Sequence, residues 1–136
     1  MLLSFRTLAT FTALLCFALA LVWGLCPDLL LWLWGVEYSS AVGLVSRRNA
    51  ALFLTLGIMF YRARQAPPSP TRNAMTSGFS GGCLVLAVLG LSEWFSGNAG
   101  PGILLAVATE AALGLAFVQV NRSSAARPQT SAQTSA

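Results

Sequence analysis

Apolar residues in this chain gather in four stretches, at about 7–26, 41–61, 76–96 and 101–121, separated by shorter polar or basic breaks. Some 20 apolar residues in helical form cross the ~30 Å hydrocarbon of a bilayer, so each stretch is predicted to span a membrane. The first, Thr7 to Cys26, carries no charge and stops at Pro27-Asp28. The second has two readings. Asn49 to Tyr61 alone rises only about 20 Å, too little to cross. A start near Ala41 restores a full span but puts Arg47 and Arg48 about two turns inside it. The third runs from Thr76 to Ser96 and the fourth from Pro101 to Asn121. Pro101 suits a first helical position, where its missing N–H is not needed. The predicted fold is all-α: an integral membrane antiparallel four-helix bundle.

The breaks carry their own signals. Leu29 to Val36, bounded by Asp28 and Glu37, is too short to cross; with Trp32 and Trp34 it reads as a short interfacial helix after the first span. Arg62 to Ala74, with Arg64, Arg72 and Pro67-Pro68-Ser69-Pro70, reads as a basic, proline-stiffened loop. Residues 1–122 then form one transmembrane domain, and 123–136, polar and repetitive, a disordered cytoplasmic tail. A cleaved signal peptide is the rival reading of the first span, with Ala18-Leu19-Ala20 as the cleavage site. The apolar run continues through Leu21-Val22-Trp23, unlike a polar region before cleavage, which favours a retained helix.

Composition agrees with the pattern. Of 136 residues, 56% are hydrophobic and 9% charged, against about 25% charged in soluble domains. Mean hydropathy is +0.71. All eight basic residues are arginine, histidine is absent, and the net charge is +4. Without histidine or lysine there is no imidazole metal site, no Ser-His-Asp or Cys-His catalysis, no Walker A loop and no Schiff base. Cys16, Cys26 and Cys83 form no CxxC and no disulfide framework. Gly97-Asn98-Ala99-Gly100-Pro101-Gly102 lacks the strand that a nucleotide loop requires and reads as a turn. Ser92 beside Glu93 has no third catalytic partner. No enzyme activity, cofactor or metal is expected.

Charge placement sets the expected topology. With the N-terminus inside, Arg6, Arg62, Arg64, Arg72, Arg122 and Arg127 all fall on one side, and the outer loops hold Asp28 and Glu37. The positive-inside rule then gives both termini cytoplasmic, in a bacterial inner membrane. Trp23, Trp32, Trp34 and Trp94 fall near the outer boundary, as an aromatic belt does. Asn121-Arg122-Ser123 matches a glycosylation sequon but lies on the inside in this reading. Arg47 and Arg48 alone break the rule.

Charges at bilayer depth are costly and mark sites or structural pairs. Glu93 lies near the outer end of the third span and Glu110 near the middle of the fourth, so Arg47, Arg48, Glu93 and Glu110 form the candidate buried charge cluster or ligand pocket. Gly78, Gly82, Ala106 and Gly114 are the candidate helix-packing residues, since small residues at this spacing let membrane helices approach. Arg47, Ala51 and Thr55 recur at i+4, as do Gly102, Ala106, Glu110 and Gly114. Three readings stay open: an ion-pair cluster fixing helix register, a site for a ligand or a coupled proton, or arginine snorkelling to the headgroups.

This order resembles small bacterial four-helix membrane proteins, the DoxX-like group and its relatives of unknown function. A long first span is followed by a Pro-bearing segment with Gly35, then Arg47-Arg48-Asn49-Ala50-Ala51 opening a span with Gly57. Arg62/Arg64, a Gly-rich third span and Glu110 in the fourth complete the likeness, which covers roughly residues 7 to 122. The resemblance implies an Arg followed after two residues by Gly or Ala at the second span, which Arg47 and Ala50 match, and an antiparallel four-helix bundle. Oxidoreductase association in that group is not carried over, because no quinone or metal ligand stands here. The expectation is a non-enzymatic binding or interaction module, holding an amphiphile or a membrane protein partner near Arg47/Arg48. The alternative is a small proton-coupled transporter using Glu110. Expected partners are the lipid bilayer and a membrane protein or second copy, with no nucleic acid.

Overall fold

The computed structural model describes residues 4–125, and these form five helices and no strand: α1 Phe5–Leu25, α2 Pro27–Leu33, α3 Ser40–Ala63, α4 Pro70–Phe95 and α5 Ile103–Ala125. All but α2 are long and apolar enough to cross a membrane. Residues 126–136 of the predicted tail lie outside the described residues, and the first part of that tail belongs to α5.

Caps set the boundaries and correct several predicted ones. Ser39 accepts the N–H of Val42 and starts α3, so the helix begins near Ala41 as in the longer reading, with Arg47 and Arg48 inside it. Ser69 accepts the N–H of Arg72, and Pro70 takes the first helical position of α4. The predicted loop from Arg62 to Ala74 therefore shrinks to the few residues between Ala63 and Pro70. α2 starts two residues earlier than expected and ends at Leu33; Gly35, just past the Trp34 cap, has a φ of +69°, the left-handed conformation glycine supplies. The Val36 N–H returns to the Leu31 carbonyl there, closing a Schellman-type stop. Pro101 is not the first residue of α5; it sits in a turn, and the helix begins at Ile103.

The helices pack as two pairs, α1 with α3 and α4 with α5. Close approaches fix both registers. A Cβ on Gly57 would lie 2.7 Å from the Phe17 ring, and one on Gly24 would lie 3.6 Å from the Ala50 Cβ, so α1 and α3 run in opposite directions. In the second pair, Gly90 meets Val107 and Gly114 meets Leu84 and the Ser80 carbonyl. Near the end carrying Arg6, Arg62 and Arg72, here called the basic end, Phe60, Phe79 and Phe117 join the pairs. Their ring centroids are 4.6 to 5.5 Å apart, within the range where aromatic rings attract edge to face. Phe60 and Phe117 are both fully buried, in a cluster with Phe5, Leu8, Ala9 and Ala13.

At the opposite, α2 end, Trp23, Leu31 and Ala50 form a smaller cluster, with Trp34 edge-on to Trp23 at 5.3 Å. The Gly100 N–H donates to the Trp34 carbonyl, and Gly102 lies against the Leu33 carbonyl, leaving no room for a side chain. α2 thus straps the first pair to the turn before α5.

Candidate functional site

The α1–α3 register places the two arginines. Ala50 lies opposite Gly24, so Arg47, about one turn earlier in α3, is level with the junction of α1 and α2 at Cys26 and Pro27. The α1–α3 pairing ends there, about two turns into α3. Both Arg47 and Arg48 are exposed. Helical side chains lean toward their own N-terminus, which for α3 is the α2 end, so both guanidinium groups are directed away from the apolar body.

Directly along α3 from Arg47 lies an open groove of about 330 Å³ lined by Phe17, Ala20 and Leu21 of α1 and Ala50, Ala51 and Leu54 of α3. Its volume is at the small end of ligand pockets. Ala51 and Leu54 follow Arg47 at i+4 and i+7, so that wall of the groove shares a helix face with Arg47. Two alanines on one wall and one on the other leave the hollow. Arg48 lies about 100° around the helix from Arg47, to one side of the face that lines the groove.

The predicted charge cluster is not brought together within this chain. α3, which carries the arginines, packs on α1, whereas Glu93 and Glu110 belong to the α4–α5 pair. Among the described residues no ion pair joins any of the four. Glu93 is exposed and accepts a 2.8 Å hydrogen bond from Asn98 Nδ2. Glu110 is half-buried in α5, within electrostatic reach of Cys83, which in turn lies within reach of Cys16.

The helix-packing residues divide. Gly114 is buried against α4 and Ala106 is half-buried. Gly78 and Gly82 are exposed, and a Cβ on either would meet nothing within 4 Å. The buried face of α4 is instead Arg72, Thr76, Ser80, Cys83 and Ala87, which turns the GxxxG face away from the rest of the chain.

That polar face was missed in the sequence. Arg72 is only 6% exposed; its Nη1 donates 3.1 Å to the Ala66 carbonyl and its guanidinium lies 4.4 Å from the Phe5 ring centroid, a cation–π contact. Thr76 Oγ1 donates 2.8 Å to Asn121 Oδ1, linking α4 to α5. The one sequence signal is spacing: Arg72, Thr76 and Ser80 recur at i+4 across the boundary between the predicted loop and the predicted third span.

Comparison with protein-family models, curated proteins and solved structures gave no match.

Proposed function

We propose that this chain is a non-enzymatic membrane binding module, an antiparallel four-helix bundle that holds an amphiphile in the α1–α3 groove beneath Arg47. The observation that carries this is the alignment of an exposed arginine with an apolar hollow on the same helix face. A polar head and an apolar tail require those two environments in that order. The groove is open and its lining is almost wholly apolar, which in a membrane protein suits a ligand drawn from the bilayer. Small residues form much of its wall because a tail occupies the space that larger side chains fill elsewhere. The DoxX-like resemblance supports the same bundle and the same arginine, and belongs to this proposal.

In this reading the protein resides in a bacterial inner membrane with both termini cytoplasmic. The basic end, with Arg6, Arg62, Arg64, Arg72 and Arg122, faces the cytoplasm. A reporter active only in the periplasm gives signal when fused near Ser39 and none when fused after Ala136. Trp23 packs beside Ala50 at the groove, which makes energy transfer from tryptophan to a dansyl-tailed amphiphile a direct assay. Wild type shows saturable transfer at about one probe per chain, and Ala51→Phe, which fills the groove, shows only the unsaturable background. Saturation unchanged in Ala51→Phe contradicts the reading.

One observation favours a second reading, proton-coupled transport. Glu110 is half-buried in an apolar helix, within electrostatic reach of Cys83, the kind of carboxylate that marks proton coupling in membranes. Solute flux in liposomes that follows a pH gradient and disappears in Glu110→Gln supports it. The binding module gives no such flux.

A further inference from the structure

The groove's ligand can be narrowed by what stands at its mouth. We infer that the site takes a phospholipid from the surrounding leaflet at the α2 end, with its phosphate on Arg47, assisted by Arg48, and one acyl chain in the α1–α3 groove. This rests on the amphiphile reading and adds the headgroup chemistry to it.

One observation supports a phosphate over a neutral head, and a second supports a single acyl chain. Arg47 and Arg48 are adjacent and exposed where the α1–α3 pairing ends, and among the described residues neither forms an ion pair. Asp28 and Glu37, the acids on the same end, are exposed and engage neither arginine. Two guanidinium groups level with the end of α1 therefore present up to ten N–H donors with no anion from this chain. The guanidinium fork matches phosphate oxygens two at a time, and such charge-assisted pairs are about twice as strong as neutral hydrogen bonds. The second observation is the shape of the hollow. It is open along one side and lined by six residues from two helices, so it accommodates one chain while leaving a second in the bilayer. A closed pocket would have to extract the whole molecule; this one does not.

The helix geometry ranks the arginines. Arg47 is in line with Ala51 and Leu54, whereas Arg48 points about 100° to the side. Arg47 is thus the main phosphate contact and Arg48 a lesser one. On the far end, Arg62 lies in the last turn of α3 and has no part in the site.

Native mass spectrometry of the full-length protein, released from nanodiscs holding phosphatidylglycerol, phosphatidylethanolamine and diacylglycerol with identical chains, tests this. Wild type is expected to retain one phospholipid, of either phosphate-bearing class, and to release diacylglycerol. Arg47→Gln should weaken retention by about tenfold or more, consistent with loss of a charge-assisted contact. Arg48→Gln should weaken it less, and Arg62→Gln not at all. Ala51→Leu and Ala20→Leu narrow the groove from opposite walls, so a folding defect in one leaves the other as the test; each should also reduce retention. If diacylglycerol is held as tightly as the phospholipids and is lost in the groove variants, the phosphate assignment is overturned while the amphiphile reading stands. If retention of every lipid is indifferent to Arg47→Gln and to both groove variants, both fall.

Discussion

At the basic end, α3, α4 and α5 meet through the rings of Phe60, Phe79 and Phe117, with α1 contributing Phe5, Leu8, Ala9 and Ala13 to the same core. Toward the α2 end large apolar residues of both helix pairs stand exposed. Leu44, Val45 and Leu52 of α3 and Val85, Leu86, Val88 and Leu89 of α4 are exposed there. The connection across that end runs through α2 and its backbone contact with Gly100 and Gly102. Dense packing at one end and an open groove at the other assign different tasks to the two halves. Local opening is easier where buried contacts are few, which on the proposed function is where an amphiphile would enter and leave.

The largest effect should come from the aromatic core. Phe60→Ala or Phe117→Ala removes a fully buried ring and is expected to cost about 3–5 kcal/mol in reversible unfolding from mixed micelles. Trp32→Ala at the α2 end, where the ring is 77% exposed, should stay within about 0.5 kcal/mol. Equal losses at the two positions would erase the distinction between the ends.

A smaller loss is expected where α1 and α3 cross. Gly57→Val would force a side chain into the Phe17 ring, 2.7 Å from the first added carbon, and overpacking of this kind costs about 1–3 kcal/mol. Phe17 also lines the groove, so this variant should reduce amphiphile binding as well as stability. Thr76→Val removes the 2.8 Å bond to Asn121; interhelical polar contacts in membranes average about 0.6 kcal/mol, and the loss should be of that size. The smallest change is expected on the far face of α4. Gly78→Ala and Gly82→Ala meet open space and should be neutral, or stabilising by up to about 1 kcal/mol through helix propensity. A marked loss in either would show that this face is covered by something outside the chain.

The sequence made the four long helices legible because an apolar run of that length has few other uses. Which pairs they form was less legible. Arg47, Ala51 and Thr55 share a face, as do Ala106, Glu110 and Gly114, and matching small faces at matched depth suggested a pairing between α3 and α5. Packing instead followed Gly57 against Phe17 and Gly114 against Leu84, contacts that depend on side-chain shape across helices and leave no one-dimensional period. The GxxxG of Gly78 and Gly82 illustrates the same point: the spacing identifies a smooth surface and not the element that covers it. The prolines beside Arg72 predict a loop, yet Ser69 and Pro70 are a cap and a first helical residue, so Arg72 lies in the first turn of α4. The groove itself was invisible, since Ala20, Ala50 and Ala51 come from separate spans and become a hollow only when α1 and α3 are in register.

The claim that an amphiphile tail lies between α1 and α3 is tested most directly by photolabelling. The full-length protein in nanodiscs is irradiated with a trace amphiphile carrying a diazirine in its tail, and adducts are mapped by peptide sequencing. Adducts concentrated in Phe17–Leu21 and Ala50–Leu54, and lost there in Ala51→Phe, are the predicted result. Adducts spread evenly over the exposed apolar faces, with Leu84–Leu91 labelled as heavily as the groove, would contradict it.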